Sequence, residues 1–295
     1  MESSDCKIFG ICGREGAGKS TSANLLSNGS GEFMYEYTET NDILEFLINT
    51  WFTFNSNSSQ FGEQRDVIWN FTRNEIRKKL TDIFDEYLGN WKREIYRIPI
   101  NFKRDSTEGW YVSGLADLLK IGCCGLFNID LRILMGEDPI SRKEREICTT
   151  LRYTSEKITL INKNEDTKGI MTGRQCLQYA ANEMIKCNFD IKFWNKILNE
   201  KLKVQIAKGN KIIIPDTRFN DDIHNVWDMG GTILMVYKHP ADLLLSEADK
   251  KTHSSCWEFL VILAENKDKR VIYIQNDKSV DKLKKKLFNY TNRIC

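Results

Sequence analysis

Apolar positions along the chain fall into short continuous runs separated by stretches of helical spacing. Lys7–Cys12 (KIFGIC) is brief, unbroken and flanked by glycine, the pattern of a strand buried on both faces. A helix is predicted over Lys19–Leu26. From 28 to 109 the chain turns polar and rich in Asn and Ser, without a repeat. Within that stretch Val67, Ile68, Phe71, Ile76, Leu80, Ile83, Phe84 and Tyr87 recur at helical spacing, which predicts an amphipathic helix over Glu63–Leu88. The segment 28–109 therefore reads as a mostly helical insertion that packs against something.

Beyond it the pattern tightens. Trp110–Val112 precedes a helical run, Leu115–Phe127. Thr172 is placed to cap a helix reaching about Ile185, with Gln175 as its capping-box partner. Asp190 is placed to cap Ile191–Ala207, in which Ile191, Trp194, Ile197 and Leu198 share a face. Then follow a strand Lys211–Ile214, a helix Asp222–Met229 stopped by Gly230-Gly231, and a strand Thr232–Tyr237. A helix Trp257–Glu265, a strand Arg270–Ile274 and a helix Val280–Tyr290 complete the series. Strands alternating with helices specify an α/β fold: a central parallel sheet of about five strands, with helices on both faces. The expected organisation is one domain, 1–295, carrying the 28–109 insertion.

Composition narrows the classes. The 295 residues are 41% hydrophobic and 11% aromatic, enough for a sizeable core. Net charge is only +2, which argues against a dedicated nucleic-acid binder. No run of eighteen apolar residues occurs, so a membrane-spanning helix is excluded. Met1–Asp5 is short and polar, unlike the start of a signal peptide. The nine cysteines are scattered, without a C-x-x-C pair, and read as reduced thiols of a cytoplasmic protein.

The most informative chemistry follows the first strand. Gly13-Arg14-Glu15-Gly16-Ala17-Gly18-Lys19-Ser20 fits G-x-x-x-x-G-K-[ST] in full, between a buried strand and a helix, and Thr21 extends the set. Glycines let consecutive N–H groups converge on one concavity, and the helix N-terminus adds partial positive charge. The pattern predicts ATP or GTP as ligand, with Lys19 reaching the transferred phosphate and Ser20 supplying one Mg²⁺ position, or else is a glycine-rich turn that only resembles the motif. Farther on, Ile212–Ile214 runs into Pro215-Asp216-Thr217-Arg218, a carboxylate and then an arginine at a strand's end. Asp216 there orients Mg²⁺ or its water shell, or else caps a turn. Arg218 points at the phosphates being joined, or else pairs with Asp221 or Asp222.

The chain also resembles a known family, through motifs taken in order. After the glycine loop come Leu115-Ala116-Asp117-Leu118-Leu119-Lys120 with Leu126-Phe127-Asn128-Ile129-Asp130, and Gly136-Glu137-Asp138 followed by Lys143-Glu144-Arg145-Glu146. Then come Thr172-Gly173-Arg174-Gln175, Leu177-Gln178, Phe189-Asp190 with Phe193-Trp194, Pro215-Asp216-Thr217-Arg218, Gly230-Gly231 and Gln275-Asn276-Asp277. This set resembles the deoxynucleoside monophosphate kinases of tailed bacteriophages and large DNA viruses, which have the P-loop kinase fold. The resemblance implies transfer of the ATP γ-phosphate to a deoxynucleoside monophosphate, in host cytoplasm, by a homodimer. It implies that Lys120 and Arg174 bind the acceptor phosphate. Gln178 lies one turn beyond Arg174 and touches the same ligand, or is a solvated helix residue. Trp194 lines the nucleoside pocket, or is plain core. The sequence departs from the family at Ser20 (often aspartate), Leu118 (proline), Ala181-Asn182-Glu183 (Gly-Thr-acid), and Cys256, where a glutamate is usual.

Transfer between two phosphates needs no strong general base, so three histidines are no obstacle. Lys19, Arg218, Arg174 and Mg²⁺ are the expected charge-compensating groups. The segment 238–256, with Lys250, Lys251 and His253, is the candidate lid, or a solvated loop. Two other readings stand beside this one. The chain is another small-molecule kinase of the phosphomevalonate or dephospho-coenzyme-A type, or a non-catalytic nucleotide-binding protein on the same fold.

Overall fold

The apolar runs assemble as a parallel sheet. The structure, a computed structural model, describes residues 8–29, 33–45, 48, 73–88, 96–104, 109–127, 129–136, 138–152, 170–186, 192–251, 254–266, 270–277 and 279–291. The chain forms two compact units. Unit one combines Met1–Met34, Lys103–Leu115 and Leu202–Cys295; unit two combines Tyr35–Phe102 and Ala116–Lys201.

Unit one carries a five-stranded sheet. β1 (Ile8–Cys12) is wholly buried and lies at its centre, flanked by β7 (Lys211–Ile214) and β8 (Thr232–Tyr237). β4 (Trp110–Val112) pairs outside β7, and β9 (Val271–Gln275) outside β8. Every pairing is parallel. Such strands face packed layers on both sides, which is why their sequences read as continuous apolar runs.

Alternate residues of β1 serve opposite faces. Phe9 and Ile11 join a core with Ala23 and Leu26 of α1 (Lys19–Ser27) and with Leu283 and Leu287 of α10 (Val280–Thr291). Gly10 points the other way, where a Cβ would meet Val226 of α8 (Asn220–Asp228) and Ile233 of β8. α9 (Glu258–Glu265) packs beside α8. So β1 and its neighbour β7 send their following helices to opposite faces. Between two such strands an α/β sheet opens a crevice at the carboxyl ends, and ligands bind there.

Unit two contains α2 (Arg73–Leu88), α3 (Asp117–Phe127), α4 (Leu131–Met135) and α5 (Pro139–Arg145). Asp138 accepts from the N–H of Ile140 and Ser141, capping α5 with Pro139 at its start. The described part of the predicted 63–88 helix is α2; residues 63–72 lie outside the described residues. α2 buries Leu80, Ile83 and Phe84, members of the predicted apolar stripe.

Besides α2, the described residues of 28–109 include two strands, β2 (Phe33–Thr40) and β3 (Tyr96–Arg104), which pair as a two-stranded sheet. A second small pair, β5 (Cys148–Arg152) with β6 (Ile170–Thr172), is antiparallel. α6 (Gly173–Gln178) begins with the predicted capping box: Thr172 Oγ1 accepts from Gln175 N–H at 3.2 Å, and Gln175 Oε1 from Thr172 N–H at 2.8 Å. The predicted helix to Ile185 instead widens to π-helical turns over Tyr179–Lys186. α7 (Phe193–Ala207) follows; its predicted cap, Asp190, lies outside the described residues. Among the described residues no helix is long and apolar enough to cross a membrane.

Candidate active site

The carboxyl end of β1 turns directly into the Gly13–Ser20 loop. Gly13 adopts φ 144°, and a Cβ there would overlap the Val236 carbonyl oxygen of β8, so no other residue fits beside that strand. Gly18 caps α1 at φ 102°. The loop closes on itself through Ala17 N–H donating to the Arg14 carbonyl at 3.2 Å. Beyond it, the first N–H groups of α1 have no carbonyl within the helix to bond. They and the helix dipole favour negative charge at this point.

Lys19 lies over the loop. Its ammonium donates to the carbonyls of Gly13 at 2.7 Å and Arg14 at 2.8 Å. Burial, and after it the nearby Arg218 guanidinium, lowers its pKa to about 8. Ser20 and Thr21 are exposed on the first turn of α1. Cys12, just before the loop, is fully buried with its thiol pushed up to about 12, so it acts as packing.

The neighbouring strand delivers the second half of the site. Thr217 N–H donates to the Ile11 carbonyl at 3.2 Å, stitching the end of β7 to that of β1. Asp216 Oδ1 accepts from Leu115 N–H at 2.9 Å, which holds the carboxylate at the carboxyl end of β7. Asp222 Oδ2 accepts from the N–H of Arg218 at 3.1 Å and of Phe219 at 3.0 Å, starting α8. Asp222 thus serves backbone donors. Among the described residues no hydrogen bond or ion pair engages the exposed Arg218 guanidinium.

Arg14 and the segment 238–256 make a feature that sequence spacing does not reveal. The Arg14 guanidinium pairs with Asp249, donates through Nε to the Asp242 carbonyl at 3.0 Å, and through Nη2 to the Leu244 carbonyl at 2.8 Å. Arg14 in turn holds the Asp249 carboxyl well below the usual carboxylate range, with help from Ser246. The segment is built of short 3₁₀ turns, in which Lys250 pairs with Glu247 at 2.8 Å and Lys251 is exposed. His253 lies outside the described residues. Asn276, of the Gln275-Asn276-Asp277 motif at the end of β9, reaches the loop: its Nδ2 donates to the Ala17 carbonyl at 2.8 Å.

Lys19, Ser20, Asp216, Arg218 and the glycine loop all belong to unit one, at adjacent strand ends. The residues drawn from the family resemblance belong to unit two. Lys120 sits on α3 and Arg174 and Gln178 on α6, two helices that pack together. Arg174 Nε lies 2.5 Å from Glu146 Oε1, both groups substantially exposed. Trp194 is 7% exposed, set edge-on to Phe193, and donates from Nε1 to the Ala181 carbonyl at 3.3 Å. It borders a cavity of about 10 Å³, room for one water-sized sphere.

Chemically, unit one offers the N-terminus of α1 beside two cations, a hydroxyl and a carboxylate. Among the described residues no cluster of three or more His, Cys, Asp or Glu forms a metal cage. A magnesium ion does not need one, since it takes one or two protein oxygens and fills its shell with phosphates and water. Ser20 and Asp216 fit that donor set. Fold and site together define an α/β protein with a five-stranded parallel central sheet and a glycine-rich loop at the carboxyl end of its central strand. Comparison of the sequence with protein-family models and with curated proteins finds no match.

Proposed function

We propose that the chain is an ATP-dependent kinase that phosphorylates a deoxynucleoside monophosphate to the diphosphate. The observation that carries the reading is the pair of cations at the carboxyl ends of β1 and β7. Burial first and the Arg218 charge second lower Lys19's pKa, against the opposing charges of Glu15 and Asp216, and among the described residues no hydrogen bond or ion pair engages the Arg218 guanidinium. Folded proteins do not hold two like charges together at a glycine-loop mouth without cost, and a bound phosphate chain offsets it.

In this reading, the loop N–H groups and the α1 N-terminus receive the β- and γ-phosphates. Lys19 exchanges the Gly13 and Arg14 carbonyls for phosphate oxygens. Ser20 and Asp216 would hold Mg²⁺, which when bound would supply positive charge to the phosphates. Arg218 neutralises the group in flight. An acceptor phosphate oxygen forms the new bond to the γ-phosphorus while the bond to the β–γ bridging oxygen breaks, leaving ADP; no proton need be removed. The family resemblance assigns Lys120 and Arg174 to the acceptor phosphate and Trp194 to the nucleoside, and Gln178, one turn beyond Arg174, touches the same ligand as Arg174.

A coupled ADP-release assay over dTMP, dGMP, dCMP, dAMP and dUMP tests this. Turnover with at least one of them is expected. Activity only with an isoprenoid phosphate or dephospho-coenzyme A would move the chain to another kinase class. ATP binding without any transfer would make it a binding protein. In the same assay, Arg174→Ala is expected to raise the KM for the monophosphate at least about tenfold, as loss of a charge-assisted contact does, with the KM for ATP little changed. Equal effects on both would remove Arg174 from the acceptor site.

A further inference from the structure

We infer that Asn276 is the positioning residue that holds the phosphate-binding loop in its receptive form, an inference that rests on the nucleotide-binding reading above. Its own place is set by the sheet. β9 pairs with β8 up to Gln275 opposite Tyr237, and the next N–H, that of Asn276, donates to the Tyr237 carbonyl at 2.7 Å. The backbone therefore aims the Asn276 side chain beyond the strand ends. There its amide donates to the Ala17 carbonyl at 2.8 Å.

That carbonyl belongs to the peptide joining Ala17 to Gly18. In a trans peptide the C=O and the following N–H point in opposite directions. Fixing the Ala17 oxygen on Asn276 thus turns the Gly18 N–H away from Asn276. Gly18 shows the same fit from its own side. The Asn276 amide is the nearest group to the position a Cβ would take at residue 18, and the left-handed φ of 102° excludes other residues there.

The other side-chain bonds to the loop's carbonyls, at Gly13 and Arg14, come from Lys19. They are given up when Lys19 turns to an anion. The Asn276 bond does not depend on the ligand, so it keeps the Ala17–Gly18 peptide in place while the charge moves. Asn276 acts on phosphates through the loop and does not touch the reacting atoms.

Titration calorimetry of the full chain with ATP and, separately, with inorganic tripolyphosphate, both with Mg²⁺, tests the inference. Asn276→Ala is expected to weaken both ligands by the same factor, about tenfold, as loss of a single partly buried hydrogen bond does. Weakening of ATP alone would mean that Asn276 meets the nucleoside, and would overturn the inference. Unchanged affinities with a lowered melting temperature would reduce the residue to a structural contact, and would overturn it equally. Should Asn276→Ala fail to fold, Asn276→Gln keeps the amide on a stem one methylene longer and is held to the same comparison. Lys19→Ala is the control that separates the two claims. If it leaves tripolyphosphate binding untouched, or if the unaltered chain binds neither ligand, the nucleotide-binding reading fails. If Lys19→Ala abolishes binding while both Asn276 variants leave it intact, only the inference fails.

Discussion

Lys19→Met is expected to abolish ATP binding and, below pH 8, to make the protein more stable. The ammonium is largely buried, and burial with Arg218 beside it brings its pKa from 10.5 down to about 8. A depression of that size corresponds to about 3 kcal/mol of cost for keeping the charged form in the folded state. Two hydrogen bonds to the Gly13 and Arg14 carbonyls are lost with the amine, which offsets about 1 kcal/mol each. The net gain is on the order of 1 kcal/mol. The sign of the pH dependence follows from the same depression. Between about pH 8 and 10.5 the unfolded chain binds a proton that the folded one does not, so wild-type stability rises with pH across that window. The variant lacks that rise. Urea unfolding at pH 7 and pH 9.5 reads both effects, and a variant less stable than wild type at pH 7 with the same pH slope would contradict the burial argument. The site would then hold its charge without strain, as an ordinary surface lysine does.

Arg218→Ala is expected to lower kcat by about a thousandfold, the lower end of what an arginine on a transferred phosphoryl group supplies. Binding of ATP should change far less, because the loop N–H groups and Lys19 remain. A second readout distinguishes this from damage to the fold. Removing the neighbouring cation relieves Lys19, so any alkaline limb in ATP affinity should move to higher pH. The Arg218 side chain is exposed, and its backbone N–H keeps Asp222 as acceptor, so the start of α8 should survive. A kcat within tenfold of wild type would take Arg218 out of the transfer step.

The sheet of unit one is legible in the sequence because parallel strands buried on both faces leave continuous apolar runs, as in Lys7–Cys12, Ile212–Ile214 and Thr232–Tyr237. The capping box at Thr172 and Gln175 is legible because it is local. The pair β2 and β3 is harder to see, although its signal is present. Tyr96, Ile98, Ile100 and Phe102 alternate with Arg97, Pro99, Asn101 and Lys103, a period of two. Phe33, Tyr35 and Tyr37 do the same. The polar composition around both strands masks that period, and the helical spacing of α2 between them is the stronger pattern. Pro99, which removes a ladder donor, also speaks for a strand with a free edge.

In the site, the glycine loop, Lys19 and the Asp216–Arg218 turn can be found from spacing, since each follows a strand directly. What spacing cannot give is the company they keep. Asp249 lies 235 positions from Arg14 and Asn276 lies 259 from Ala17, and no local pattern reports such pairs. The π-helical widening at Tyr179–Lys186 is likewise hidden. Tyr-Ala-Ala-Asn-Glu-Met-Ile-Lys carries no breaker, and the Ala181 carbonyl finds the Trp194 indole only in the folded chain.

Transfer of label from [γ-³²P]ATP tests the central claim most directly. With Mg²⁺ and the five deoxynucleoside monophosphates offered singly, the label should appear in at least one deoxynucleoside diphosphate, and the transfer should vanish in Lys19→Met. Label that stays in ATP with every acceptor, or that emerges only as inorganic phosphate, would contradict it.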